Sequence, residues 1–269
     1  MYKAGFIGTG VMGSAIARAV RKSVAGSDLL LSNIPAIQAE ELAKELGCAH
    51  GANADVAGQC RYIYLAVKPQ VIASVLKEIS PVLKARKDPY TLVSIAAGVS
   101  VDTIRTLLDI PGAGVIRVMP NTAALVGEAV LLCAFADVSE DEKAEFFRLT
   151  QNAGLCDEVP EKLIDSAGAL TGCGPAFAFM VMQALADGAV ACGVDRIRAR
   201  KYAAMTLLGS AKLALESGKH FEQLKDEVCS PAGSTIEGVR VLEEAGIRSA
   251  FTEAVCASFE KNRELGKQK

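Results

Sequence analysis

Histidine is nearly missing from this chain, with only His50 and His220 in 269 residues. Neither falls in a motif, and His220 lies in a Lys- and Gly-rich turn, so the sequence offers no histidine-based acid–base machinery and no metal centre. An excess of one charge sign is missing as well: 29 Lys and Arg stand against 31 Asp and Glu, a formal net charge of −2. Without a global positive field to gather phosphate backbones or acidic membranes, nucleic acid is not an expected partner. Paired cysteines are absent. Cys48, Cys60, Cys133, Cys156, Cys173, Cys192, Cys229 and Cys256 have no CxxC spacing and sit mostly among apolar neighbours, unlike a zinc site or a short disulfide framework. They read as reduced core thiols of a cytosolic protein. The first apolar run starts at Ala4, which leaves no room for a secretory signal, and neither an internal repeat nor a low-complexity linker interrupts the chain.

What is present suits a sizeable core: 51% of residues are hydrophobic and 22% charged, over a length fit for one large or two modest domains. Up to about residue 160, short apolar runs alternate with segments of helical period, the pattern of a mainly parallel sheet covered by helices. Runs 4–8, 29–32, 62–67, 91–96, 114–119, 129–133 and 156–159 predict strands. Segments 12–23, 37–46, 71–83, and 141–152 behind the N-cap Ser139, predict helices between them. Beyond residue 160 the strand signal stops, and 162–170, 176–192, 197–217, 222–228, 235–244 and 248–265 predict helices. Residues 175–194 carry one charge, Asp187, and approach the length of a membrane span. Gln183, Asp187 and Gly188 near the middle favour instead a helix buried in a bundle or a dimer.

Gly8-Thr9-Gly10-Val11-Met12-Gly13 fits GxGxxG between a predicted strand and a predicted helix. The first glycine permits the tight turn, the second lets backbone approach a pyrophosphate, and the third lets the helix pack closely on the sheet. The expected fold class is therefore α/β, a Rossmann-type doubly wound sheet over residues 1–160 followed by an all-helical domain over 161–269. At the end of the second strand, where an Asp or Glu reads the ribose 2′-hydroxyl of NAD, stand Ser32 and Asn33, while Asp28 lies at the wrong end of that strand. No carboxylate repels a 2′-phosphate there, which favours NADP with NAD possible, although no Arg follows to complete the usual NADP device.

Ala66-Val67-Lys68-Pro69-Gln70 ends the third central strand, where ligands bind in open parallel sheets. Lys68 there is either a cofactor contact or a surface lysine before a helix that Pro69 starts. Ser94-Ile95-Ala96-Ala97-Gly98 ends the next strand with small residues that suit a flat nicotinamide or a plain turn. Asn121, in Met119-Pro120-Asn121, caps a turn or orients a substrate. In the helical half, Thr171-Gly172-Cys173-Gly174-Pro175-Ala176 and Ser230-Pro231-Ala232-Gly233-Ser234-Thr235 each precede a predicted helix. Their backbone N–H groups and hydroxyls either hold a carboxylate, as helix N-termini do for anions, or serve as ordinary caps.

Taken in order, Gly8-x-Gly10-x-x-Gly13, Ala66-Val67-Lys68-Pro69, Ser94-x-Ala96-Ala97-Gly98, Arg117-Val118-Met119-Pro120-Asn121-Thr122, Gly172-Cys173-Gly174-Pro175-Ala176 and Ser230-Pro231-Ala232-Gly233-Ser234-Thr235 resemble the pyrroline-5-carboxylate reductase family over nearly the whole chain. The resemblance implies that the glycine loop, Ser32, Asn53, the 66–69 turn and the 96–98 turn contact the nucleotide, and that Ser230, Gly233, Ser234 and Thr235 hold the substrate. It implies dimers formed through interlocked helical domains, often assembled into larger rings. It also implies reduction of 1-pyrroline-5-carboxylate to L-proline, the last step of proline biosynthesis, while the cytoplasmic expectation rests on the cysteines. The chain departs from the family where Cys173 replaces a common Ser and Ala232 a common Gly, the latter at a backbone that glycine takes freely.

On this reading the substrate carboxylate sits at the helix start near Thr235, and Thr235 donates to the ring nitrogen directly or through water. Hydride transfer needs neither a histidine nor a metal, because the cofactor supplies the chemistry. Two alternatives compete. A 2-hydroxyacid or ketopantoate-type reductase would need a Lys or Glu in the helical half aimed at an alkoxide, and no such lysine stands in the motifs. In a non-catalytic NADP sensor the 230–235 loop would be dispensable.

Overall fold

The computed structural model describes residues 1–267, which form two compact units: Met1–Gly172 together with the end of the last helix from Phe259, and Cys173–Ser258. In the first, β1 (Tyr2–Ile7), α1 (Val11–Arg21), β2 (Leu29–Ser32), α2 (Ile37–Leu46), β3 (Ala49–His50), α3 (Asn53–Gln59), β4 (Cys60–Leu65), α4 (Ile72–Ala85), β5 (Thr91–Ser94), α5 (Val101–Leu108), β6 (Gly114–Met119), β7 (Ala129–Ala136), α6 (Glu140–Thr150) and β8 (Gly154–Glu158) follow one another. The strands make one sheet in the order β3-β2-β1-β4-β5-β6-β7-β8. Every pairing is parallel except that of β6 with β7. Chain order reverses between β1 and β4, which makes the crevice beyond their carboxyl ends the place for a ligand.

Side chains that alternate along each strand feed two cores. Phe6, Leu31, Tyr64 and Val118 pack under α1, α2 and α6, whereas Ile7, Ile63 and Leu65 pack under α3, α4 and α5. Phe6 and Tyr64, paired in register, stack with ring centroids 4.3 Å apart. Fully burying a side chain of this size contributes about 1.5–3 kcal/mol, so this double core holds the strand ends in place. The doubly wound sheet expected from the sequence is thus observed.

α7 (Glu161–Ala191), α8 (Arg196–Ser217), α9 (Phe221–Val228), α10 (Ser234–Glu244) and α11 (Ile247–Lys267) complete the chain. α7 corrects the sequence reading, because 162–170 and 176–192 are one helix with Pro175 inside it. The Thr171–Pro175 stretch therefore presents no free helix start and cannot hold a carboxylate on backbone N–H groups. The apolar stretch expected inside a bundle or a dimer is exposed in the single chain, with Phe179 64%, Met180 71% and Leu185 46% accessible. α7 is long and apolar enough to cross a membrane by length and composition. The small core of the second unit is Ala186, Ala199 and Ala203, with Ala189, Val190 and Val194 packed on it.

The cysteines are all unpaired, as expected, but only Cys60 and Cys133 belong to the core, while Cys192 and Cys256 are exposed. Burial pushes the Cys60 thiol up to about 12 and raises that of Cys133 as well.

Candidate nucleotide site and substrate loop

The carboxyl ends of β1, β2, β4 and β5 bring the predicted nucleotide residues together. Gly8 has φ +103°, and a Cβ there would lie 2.6 Å from the Ala66 carbonyl oxygen, so only glycine lets the loop pass the end of β4. At Gly13 a Cβ would lie 2.3 Å from the Gly8 carbonyl oxygen, the close helix–loop packing expected of the third glycine. Gly10 differs, since a Cβ built on it meets nothing within 4 Å. The protein itself does not need glycine there, which fits a cradle kept clear for a ligand. Gly10 is also the N-cap of α1, with no side-chain cap and no acidic residue in the first turn. The first N–H groups of α1 and its positive dipole end thus face outward at the cradle, a fit for pyrophosphate.

Thr9 is buried and donates its N–H to Asn33 Oδ1 at 2.9 Å, which ties the loop to the end of β2. Val11 is exposed and Met12 half-buried at the mouth of α1. Asn33 Nδ2 donates to the Pro35 carbonyl at 2.9 Å and to Gln38 Oε1 at 3.0 Å. Ser32 is buried and donates to Asn53 Oδ1 at 2.7 Å, and Asn53 Nδ2 donates to Glu78 Oε2 on α4 at 2.9 Å. Ser32 and Asn33 are thus engaged within the protein rather than presented as idle donors, and Glu78 is a member of this network that the sequence reading missed. Its position on α4 follows the helical period, but only the fold sets it beside Asn53.

Ala66 and Val67 turn away from β4, Lys68 is exposed with no hydrogen bond or ion pair among the described residues, and Pro69 opens a short 3-10 turn. Ala96 is buried, while Ala97 and Gly98, at φ +70°, are exposed beyond β5. Pro69, Ala97 and Gly98 border a cleft of about 720 Å3 whose other wall includes Arg117, Met119 and Asp165. Arg117, at the end of β6, is buried and pairs with Asp165 at 2.7 Å and Glu161 at 3.2 Å. Glu161 also accepts the Val101 N–H at 2.9 Å, so one cation fixes the starts of α5 and α7 at the cleft. Asn121 caps the 3-10 turn Thr122–Val126 by accepting from Ala123 N–H, and its Nδ2 donates to the Thr171 carbonyl at 2.9 Å. In the α7 helix that carbonyl would otherwise take the N–H of residue 175, which proline lacks.

The other predicted group lies in the second unit. Ser230–Thr235 forms a tight loop in which Gly233 N–H donates to the Ser230 carbonyl at 3.0 Å, and a Cβ on Gly233 would lie 2.3 Å from Ser230 Oγ. Ala232 has φ +55°, the left-handed backbone anticipated where the family commonly has glycine. Gly233 is the N-cap of α10 without a side-chain cap, and Ser234 and Thr235 are exposed in its first turn. Free N–H groups and two hydroxyls therefore meet at an open helix start that can accept a carboxylate. Elsewhere in this unit, the exposed Asp187 on α7 pairs with Arg196 and accepts from Gln183, which together hold its carboxyl below the usual carboxylate range.

A family model described as pyrroline-5-carboxylate reductase dimerisation matches residues 161–265. A second, described as NADP oxidoreductase coenzyme F420-dependent, matches residues 3–98. The pyrroline-5-carboxylate reductase of Methanosarcina acetivorans is 43% identical, over 99% of this chain and 98% of that protein. Among solved structures, a pyrroline-5-carboxylate reductase from Coxiella burnetii superposes with a TM-score of 0.91 at 28% identity, over 98% of each chain. The Plasmodium falciparum pyrroline carboxylate reductase with NADP bound gives 0.86 at 29% identity, also over 98% of each chain.

Proposed function

The chain belongs to the pyrroline-5-carboxylate reductase family, and from that premise we propose how its own residues carry out the reduction of 1-pyrroline-5-carboxylate to L-proline. Residues 1–160 hold the nucleotide and residues 161–269 supply substrate binding and dimerisation. The observation that carries the first assignment is the glycine loop: the vacant space over Gly10 and the uncapped start of α1 suit a dinucleotide pyrophosphate. Gly8, Thr9, Gly10, Val11, Met12 and Gly13 shape that cradle. Ser32, Asn33 and Asn53 face the adenosine ribose, Ala66, Val67, Lys68 and Pro69 border the central part, and Ala96, Ala97 and Gly98 leave room for a flat ring. Lys68, exposed and unpaired by any described residue, supplies a cation for a phosphate. When bound, the reduced nicotinamide supplies the hydride.

For the substrate, the N–H groups at the start of α10 hold the carboxylate with the Ser230 and Ser234 hydroxyls. The left-handed turn at Ala232 and the close Ser230–Gly233 contact shape that pocket. Thr235 donates a hydrogen bond to the ring nitrogen, orients the ring, and relays the proton that the nitrogen gains as its carbon takes the hydride. A threonine hydroxyl is too weak an acid to be the ultimate proton source, so water stands behind it.

The partner is a second copy of the chain joined through the helical region, with larger rings a further step. Neither nucleic acid nor a membrane is a partner, and the unpaired cysteines suit the cytoplasm. Incubating the protein with NADPH and 1-pyrroline-5-carboxylate while following nicotinamide absorbance tests the activity. Loss of absorbance coupled to proline formation is expected; nucleotide binding without turnover would sink the enzymatic reading in favour of a sensor.

A further inference from the structure

We propose that Glu78 is a positioning residue that sets the balance between the two nicotinamide dinucleotides, acting through Asn53 and Ser32 at the adenosine ribose. The proposal rests on the reading of the glycine loop as the nucleotide site, in which the end of β2 meets the ribose 2′ position. Ser32, the last residue of β2, is 2% exposed and Asn53, the first of α3, is 4% exposed. An ionised carboxylate has acceptors only, so Asn53 must turn its NH2 toward Glu78 Oε2, 2.9 Å away. Its carbonyl oxygen then faces Ser32, and the Ser32 hydroxyl must give its proton to that oxygen at 2.7 Å.

The polarity of the chain is thereby imposed by Glu78, and Ser32 is left with lone pairs for anything that approaches from the ribose side. A ribose 2′-hydroxyl can donate to such a lone pair. A 2′-phosphate is a set of acceptors and finds no side-chain donor free in Ser32 or Asn33. Asn33 next to it has both Nδ2 hydrogens committed, to Pro35 and Gln38. NADP is therefore bound against a handicap that Glu78 maintains, and NAD is admitted beside it.

Gln at position 78 removes the constraint, because its own NH2 can donate to Asn53 Oδ1. The Asn53 amide can then reverse, donate to Ser32 Oγ, and release the Ser32 proton for a phosphate oxygen. Glu78 lies on the exposed face of α4, so an isosteric change there leaves the cores untouched.

Calorimetric titration of NADP and NAD, without substrate, into the parent, Glu78→Gln, Ser32→Ala and the double variant tests the relay. Glu78→Gln should raise the preference for NADP about tenfold, the worth of one hydrogen bond to a charged group. In turnover the gain should fall on KM for NADPH rather than on kcat. In the Ser32→Ala background the same substitution should do almost nothing, since the donor it releases is absent. An equal gain in both backgrounds would mean that only the negative charge of Glu78 matters and would overturn the relay, as would no gain at all. A parent that binds neither nucleotide would remove the nucleotide reading itself.

Discussion

At the scale of single residues, Thr235 and Ala232 show how differently neighbours in one loop contribute. Thr235 stands exposed in the first turn of α10, so removing its hydroxyl disturbs no packing. Any loss on substitution then reports chemistry or substrate contact. Thr235→Ala should lower kcat more than it raises KM, by up to the roughly 10²-fold low end of acid–base contributions. Thr235→Ser should keep much of the activity. Steady-state kinetics on variants shown to be folded and to bind NADPH decide it, and an alanine variant turning over at the parental rate would reduce Thr235 to a helix-start residue. Ala232 does its work through backbone alone. At φ +55° it occupies a region costly for any residue with a Cβ, and the chain tolerates it to bring Ser230 and Gly233 together. The sequence made that strain legible because a glycine is common at this point in the family. It did not reveal Glu78, whose role depends on α3 and α4 packing side by side.

Among the elements, α7 marks where local sequence rules mislead. Gly172, Gly174 and Pro175 are strong breaker signals, and they suggest a loop between two helices. The helix instead runs through, because the acceptor orphaned by Pro175 finds a partner from outside: Asn121, from the turn after β6, donates to the Thr171 carbonyl. A contact fifty residues away in sequence is invisible to any local window. The strands and the glycine loop were readable for the opposite reason, since apolar runs and turn glycines act locally. The Asn121 side chain satisfies two backbone groups at once, and truncating it leaves both unpaired. Asn121→Ala should therefore destabilise the protein by about 1–3 kcal/mol, read as a shift in denaturation midpoint at fixed protein concentration. The cost should shrink when combined with Pro175→Ala, whose restored N–H can serve Thr171 within the helix. Additive costs would show that the Asn121 contact does not stand in for the missing helical bond.

For the whole molecule, the decisive feature is apolar surface that the chain does not cover. Phe179, Met180 and Leu185 on α7, and Met205, Leu208 and Leu213 on α8, are each 46–71% exposed, within a region that matches a dimerisation family model. The sequence announced the α7 part of this surface as a nearly uncharged run but could not say whether a second chain or the chain's own bundle would cover it, because both leave the same composition. A stable association of this kind buries on the order of 1,200 Å2 or more, so we expect an oligomer that persists at low micromolar concentration in light scattering. Met180 allows a clean test. Being 71% exposed in the single chain, it can become Lys with little effect on a monomer's own stability, as for surface substitutions generally, within about 0.5 kcal/mol. At an apolar interface the same unpaired charge costs several kcal/mol. Met180→Lys should therefore shift the mass toward the monomer while the helical circular dichroism signal of the chain is retained. A parent that is monomeric and fully active would refute the oligomer, and a lysine variant that assembles as before would place the dimer contact elsewhere than on this face of α7.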